Sequence, residues 1–235
     1  GVARSVLGRR WELRTVDETE VAALVRDTRT SDAVARVLAA RGINASGAST
    51  FLRPTLRASM PDPSTLTDMD KAVARLVAAV QSGEKITIFG DYDVDGATSS
   101  ALLKRFFRAV GVEAGVYIPD RRAEGYGPNA SALRGLQAEG SKVIITVDCG
   151  IVAFEALKAA QDVGLDVVVV DHHKAEPEMP AAAAVVNPNR LDDSSGQGHL
   201  AAVGVAFLLV VAINRALRDA GWYADKAMAE PDLRL

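Results

Sequence analysis

A single cysteine, Cys149, stands in the 235 residues, so neither a disulfide framework nor a cysteine zinc cluster can be built within the chain. A reducing cytosol is the setting this suggests. Residues 1–10, Gly1 to Arg10, hold no apolar stretch of the kind a secretory signal carries, and Gly1 in place of Met suggests a processed or engineered start. Long hydrophobic runs are also missing. The longest, Leu200 to Ile213, falls below the ~18 residues of a membrane span, and a buried helix is the better reading. An excess of positive charge is absent too: 27 Lys and Arg face 30 Asp and Glu, a net charge of −3. That argues against a protein coating duplex DNA by charge alone. It does not exclude a nuclease, because carboxylates that hold divalent metals depress the formal charge while the ions reverse the local sign. Aromatic residues make up only 5%. They are scattered and form no evident stacking platform for bases, and Trp11 and Trp222 read equally well as packing residues. There is no internal repeat and no low-complexity tract.

The balance that is present, 49% hydrophobic and 24% charged residues, is that of a globular protein long enough to bury a sizeable core. Residues 1–80 read as a helical segment with irregular connections. Asp17 and Glu20 have capping-box spacing ahead of Val21, Leu24 and Val25. A second helix starts at Ser31, carries Val34, Val37 and Leu38, and stops at Gly42. Pro54, Pro61 and Pro63 mark a stretch without regular structure, and a third helix runs from Asp68 to Gln81. From residue 81 to 235 the pattern changes to short apolar strands alternating with helices: Ile86–Phe89 then 97–110, Val112–Ile118 then 129–139, Val143–Val147 then 152–163, and Val167–Val170. The fold class predicted is α/β, a parallel β-sheet flanked by helices with a helical N-terminal segment. The helix at 200–219 is apolar nearly all round and should be largely buried.

Three of the predicted strands end in acidic residues: Asp91-Tyr92-Asp93-Val94-Asp95-Gly96, Asp148-Cys149-Gly150 and Asp171-His172-His173. Ligands of open parallel sheets bind beyond the carboxyl ends of the strands. Carboxylates gathered there repel one another and rise in pKa unless a cation intervenes. Oxygen ligands with imidazole suit Mn²⁺ or Mg²⁺, and two such ions about 3.5–4 Å apart can activate a water and stabilise the leaving oxygen of a phosphoryl displacement. Asp148, alone on its strand end, is the natural bridge between them. The bland readings are weaker. Asp-x-Asp-x-Asp-Gly also opens an EF-hand loop, but the twelfth position, which needs Glu, is Leu102. A lone Asp at a strand end is often a helix cap; three together on one sheet are not explained that way. Thr98, Ser99 and Ser100, at the start of helix 97–110, read equally as a phosphate cradle or as ordinary capping. Cys149 reads as a small buried residue beside the bridge rather than a nucleophile.

On these residues the sequence resembles the DHH phosphoesterase family, whose name is spelled by Asp171-His172-His173, and within it the branch of single-strand-specific DNA exonucleases. Ile88 to Gly96 is similar to the first motif of that branch, with Asp91 where many relatives have His, and Thr146 to Gly150 is similar to the second. The likeness extends to Phe51-Leu52-Arg53-Pro54, Asp68-Met69-Asp70, Glu124-Gly125-Tyr126-Gly127, Val186-Asn187-Pro188 and Val203 to Phe207. The resemblance implies a metal-dependent 5′→3′ exonuclease that uses two Mn²⁺ or Mg²⁺ ions, acts on single-stranded DNA in repair and recombination, and works with other repair proteins. It implies that Asp91 and Asp93 hold one ion, that Asp95 and His172 hold the other, and that Asp148 bridges them. Asp171 would orient the histidines, and His173 would touch the scissile phosphate or assist proton transfer. Arg121, Arg122, Tyr126 and Ser99 would bind substrate. It further implies an acidic ligand beyond the helix at 200–219. The closing residues Asp232-Leu233-Arg234-Leu235 are not read as supplying it, so the phosphoesterase domain is expected to be truncated at its C-terminal end. The alternatives are a phosphodiesterase for short oligonucleotides or cyclic dinucleotides and a non-catalytic scaffold of a replication complex.

Overall fold

The computed structural model describes residues 3–233, and the chain divides between Pro61 and Asp62 into two compact units. Gly1, Val2, Arg234 and Leu235, which the sequence reading touched at both ends, lie outside the described residues.

The first unit is helical: α1 (Glu18–Thr28), α2 (Asp32–Ala40), α3 (Ala45–Leu52) and α4 (Leu56–Ser59). The first three begin on side-chain caps, where Asp17, Ser31 and Asn44 accept the backbone N–H groups of Thr19, Val34 and Gly47, satisfying donors the helix itself leaves free. Arg36 binds both carboxylate oxygens of Glu18, at 2.7 and 2.8 Å, and so ties α2 to α1. The small core is Val21, Leu24, Ala35, Leu38 and Ala48. Val34 and Val37, expected to share the inward face with Leu38, are exposed instead. Ala35 lies inward, one residue on from Val34, and the pattern of larger apolar residues concealed it. The proline-marked stretch does contain regular pieces, α4 and a 3₁₀ turn at Pro63–Thr65.

The second unit takes in the 3₁₀ turn at Pro63–Thr65 and then α5 (Met69–Ser82), β1 (Ile86–Gly90), α6 (Val94–Ala109), β2 (Gly115–Tyr117), α7 (Ala130–Ala138), β3 (Val143–Val147), α8 (Phe154–Asp162), β4 (Asp166–Val170), β5 (Ala184–Val186), α9 (Ala202–Asp219) and α10 (Trp222–Asp225). The boundary drawn at residue 80 from the sequence is therefore not where the contacts divide. Ala72, Leu76 and Ala79 of α5 share one core with Ile86 and Ile88. All five strands are parallel, in the order β2-β1-β3-β4-β5. Side chains alternate across the sheet. Ile86 and Ile88 of β1 pack with α5, α6 and α9, whereas Phe89 packs with Leu133 of α7 and Leu157 of α8 on the other face. Both faces are covered, which is why the strands read as continuous apolar runs. As expected, α9 is largely buried.

Register places the chemistry. Gly90 of β1 pairs with Val147 of β3, and Val147 pairs with Val170 of β4. The next residue on each strand is Asp91, Asp148 and Asp171, so three carboxylates emerge side by side at one edge. β1 leads first to β2 on one side, and the chain then returns to β3 on the other. The two central strands thus flank the switch point where open α/β sheets take their ligands.

Candidate metal centre

Two groups of potential ligands meet at this edge. Asp91, Asp93 and Asp148 place one carboxylate oxygen each within 4.8 Å of one another, and Asp148, His172 and His173 do the same with carboxylate and ring nitrogen atoms. Asp148 belongs to both. The strand ends bury it at 2% exposure, with Asp91 at 5% and Asp171 at 0%. Among the described residues, Asp91 Oδ1 and Asp148 Oδ1 are buried side-chain oxygens with no hydrogen-bond partner. Such atoms are costly unless something binds them. A divalent cation answers that need, and the set of four carboxylate or imidazole side chains around Asp148 fits one.

The electrostatics say the same. Burial, then the neighbouring Asp93 and Asp95 carboxylates, raise the Asp148 pKa to about 7. Burial also raises that of Asp91, with the Asp93 charge adding to it. Asp93, nearly open to solvent, is held low, first by the Gly96 N–H and also by that of Asp95. Its Oδ1 accepts both, at 3.1 and 2.9 Å, and so caps α6. The cap explains why this helix starts at Val94, a turn earlier than the expected residue 97. Gly96 is required here: a Cβ would lie 2.5 Å from the Asp91 carbonyl oxygen and 2.7 Å from its Cα.

Asp171 organises the histidines. Its Oδ1 accepts the backbone N–H groups of His172 and His173 at 2.7 and 3.1 Å, and its Oδ2 accepts that of Ile151 at 3.1 Å. The same Oδ1 lies 2.7 Å from His173 Nδ1. Burial works against the charged His173 ring, but this bond and the surrounding carboxylates prevail and raise its pKa. His172 Nδ1 lies 3.2 Å from the carbonyl of Leu200. A carbonyl only accepts, so Nδ1 carries a hydrogen, and Nε2 faces Asp148 Oδ1 at 3.3 Å and Asp95 Oδ2 at 3.6 Å. With Nδ1 held on the carbonyl, Nε2 is the ring atom turned toward the carboxylates and the one that would bind a cation. Asn189 and Asn187 hold the segment further, donating to the His172 and His173 carbonyls at 2.5 and 2.9 Å.

Asp95, expected to share an ion with His172, has its Oδ2 3.6 Å from His172 Nε2 and also a structural role. Its two oxygens accept the N–H groups of Ala202 and Val203 at 2.8 Å each, so the carboxylate caps the N-terminus of α9, and it belongs to neither ligand group. His173, expected to touch the scissile phosphate or assist proton transfer, lies in the second group with Asp148 and His172. Ser99 and Ser100 are buried in the second turn of α6, whereas Thr98 is exposed and gives its hydroxyl to the Val94 carbonyl. Tyr126 does reach the site: its hydroxyl donates to the Asp148 carbonyl at 3.0 Å, and its ring stands edge-on to His173. Arg121 lies 5.0 Å over the Tyr92 ring, and its charge lowers the Asp91 pKa against the effect of burial. Arg122 gives its backbone N–H to Asp120, and among the described residues its guanidinium makes no ion pair. Sequence reasoning missed the role of Glu124. It accepts Tyr117 Oη at 2.6 Å and the Asp120 N–H at 2.8 Å, and so fixes the loop that carries Arg121 and Tyr126. Cys149 is buried, its thiol pushed well up by burial, which is the inert state expected of it.

Comparison with known proteins agrees with this geometry. The DHH family, N-terminal domain, matches residues 85–231. The chain is 38% identical over 210 residues to the single-stranded-DNA-specific exonuclease RecJ of Bacillus subtilis, covering 89% of this chain and 27% of that protein. It is 39% identical over 169 residues to the enzyme of the same name from Escherichia coli, covering 72% and 29%. Among solved structures, exonuclease RecJ bound to manganese superposes with a TM-score of 0.58 at 32% identity, over 71% of this chain and 40% of that one. RecJ of Thermus thermophilus in complex with Mn²⁺ superposes with a TM-score of 0.71 at 26% identity, over 94% and 30%. The chain thus spans less than a third of the length of the two curated relatives.

Proposed function

The chain belongs to the DHH family, and we propose that it supplies the divalent-metal site of a phosphodiesterase that removes nucleotides from single-stranded DNA, starting at the 5′ end. The observation that carries this reading is the sharing of Asp148 between two ligand groups. Asp91 and Asp93 would hold one ion with it, and His172 and His173 the other. Bound ions of this kind supply Lewis acidity at a phosphoryl oxygen and a water that loses its proton near neutral pH. The manganese in the two similar structures supports Mn²⁺ here, with Mg²⁺ as the second candidate.

The remaining side chains have separate tasks. Asp171 holds the backbone of both histidines and the His173 ring, while the Leu200 carbonyl orients the His172 ring. Arg121 stands on the rim, where its guanidinium can receive a substrate phosphate, and Tyr126, its hydroxyl given to the Asp148 carbonyl, offers substrate the exposed part of its ring. Arg122 belongs to the same rim in this reading. The proposed setting is the cytosol, where a free thiol such as Cys149 persists, with other DNA-repair proteins as partners. Among the described residues no helix is long and apolar enough to cross a membrane.

The test uses the complete gene product with Mn²⁺ and DNA labelled at either end. Mononucleotides should leave from the 5′ end of long single strands, faster than from duplexes or dinucleotides, and Asp148→Ala should abolish this while remaining folded. Preference for dinucleotides, or undiminished cleavage by that variant, would sink the reading.

A further inference from the structure

The charge of the chain is segregated between its two units. Residues 1–61 hold ten arginines, no lysine and six acidic residues, a balance of +4. Residues 62–235 hold 17 basic and 24 acidic residues, a balance of −7. The overall charge of −3 conceals the difference. In the first unit three arginines are neutralised locally: Arg10 by Glu12, Arg26 by Asp27, and Arg36 by Glu18 and Asp32. Arg14 and Arg41 are exposed and form no ion pair among the described residues. They meet at an open cleft of about 590 Å³ lined by Arg14, Val37, Ala40, Arg41, Ile43 and Phe51. No acidic side chain lines it. Phe51 and Val37 are 47% and 58% exposed there, although α2 and α3 bury other apolar residues in the unit core. Arg14 Nη1 donates to the Ala40 carbonyl at the end of α2, which fixes the guanidinium at the rim and leaves its other N–H groups free.

We propose that this cleft of the N-terminal unit is a separate binding site for single-stranded nucleic acid. An exposed aromatic ring and two arginines lining one cleft match a base and its phosphates, since unstacked bases lie on aromatic rings while arginine takes the phosphates in bidentate fashion. A duplex hides its base faces and could use only the charge. An acidic peptide would also meet the two arginines, but a flat open cleft with one exposed ring gives it no strand edge or deep apolar pocket. The cleft shares no residue with the carboxylate–imidazole cluster and concerns binding only, so it stands or falls independently of the phosphodiesterase reading.

The test is fluorescence anisotropy with labelled oligo(dT) in EDTA, where cleavage is off. The wild-type chain should bind. Arg41→Glu should weaken binding about tenfold, and Phe51→Ala at least about fivefold. Arg14→Ala with Arg41→Ala should lower the slope of log affinity against log salt by about 1.4, for two lost phosphate contacts. Arg134→Glu changes net charge as much as Arg41→Glu does but lies in α7, and it should leave binding unchanged. Circular dichroism of each variant checks the fold, and because Arg41 and Phe51 are both exposed, either one alone decides the matter if the other variant unfolds. Absent wild-type binding, equal loss with Arg134→Glu, or capture of a poly-glutamate peptide in preference to oligo(dT) would each overturn the proposal.

Discussion

Replacing Asp148 by Asn should make the metal-free protein more stable while destroying its affinity for cations. The wild-type carboxylate is almost wholly buried, one of its oxygens is unpartnered, and its pKa stands at about 7 against an ordinary 3.8. A folded-state pKa raised above the unfolded value means that the folded state binds the extra proton. Stability therefore falls as pH climbs from about 4 to about 7, and the loss is complete above 7. At about 1.4 kcal/mol for each pH unit, that interval is worth about 4 kcal/mol. Asn carries no charge and has nearly the same shape. It also tolerates the left-handed backbone found here, at φ 61°. Burying its amide gives back about 1 kcal/mol or more, which leaves a net gain of about 2–3 kcal/mol at pH 8, or roughly 5–10 °C for a unit of this size. Urea or thermal unfolding in EDTA at pH 4 to 8 reads this directly. The difference between Asp148→Asn and wild type should open across that range and then level off. A variant less stable than wild type at pH 8, or a gap independent of pH, would refute the reasoning.

Asp95→Ala should behave in the opposite way. It removes the cap of α9, costing about 1–2 kcal/mol in the metal-free protein, and Mn²⁺ affinity by calorimetry should fall far less than for Asp91→Ala. Gly96→Ala should cost about 2–3 kcal/mol in denaturant unfolding, because its Cβ would press on the Asp91 backbone. Asp68 accepts Arg190 Nη1 at 2.8 Å and pairs with Lys71; burial opposes its ionisation, but these partners keep its pKa below 3.8. Its contribution is then full above pH 3.8 and disappears as pH falls through the lower folded value. Asp68→Asn should cost about 2–3 kcal/mol at pH 7, and titration of stability with acid should show the cost fading below pH 4.

The parts legible in the sequence were those with a strong local signature. β1, β3 and β4 are apolar runs buried on both faces, so their carboxyl ends, and with them Asp91, Asp148 and Asp171, could be located. β5 escaped because three residues, Ala184 to Val186, give no period to read. α3 escaped because its one fully buried position is the small Ala48, although Asn44 was there as a cap. The first motif left one distinction unread. Three aspartates at alternate positions look alike on paper, yet Asp93 caps α6 and Asp95 caps α9, an element 107 residues further on. Only tertiary packing separates them. The same holds for Ser99, which the late start assigned to α6 placed at an exposed end rather than inside. Asp171 carries the reverse lesson: its orienting role came from the family likeness, and the four hydrogen bonds around it are consistent with that role.

The most direct test of a cation site centred on Asp148 is the electron paramagnetic resonance signal of free Mn²⁺ during titration with this chain. The signal should fall as wild-type protein is added, more at pH 8 than at pH 6, because the Asp148 proton must leave first, and it should not fall with Asp148→Asn. A signal untouched by the wild type, or lowered equally by the variant, would contradict the account.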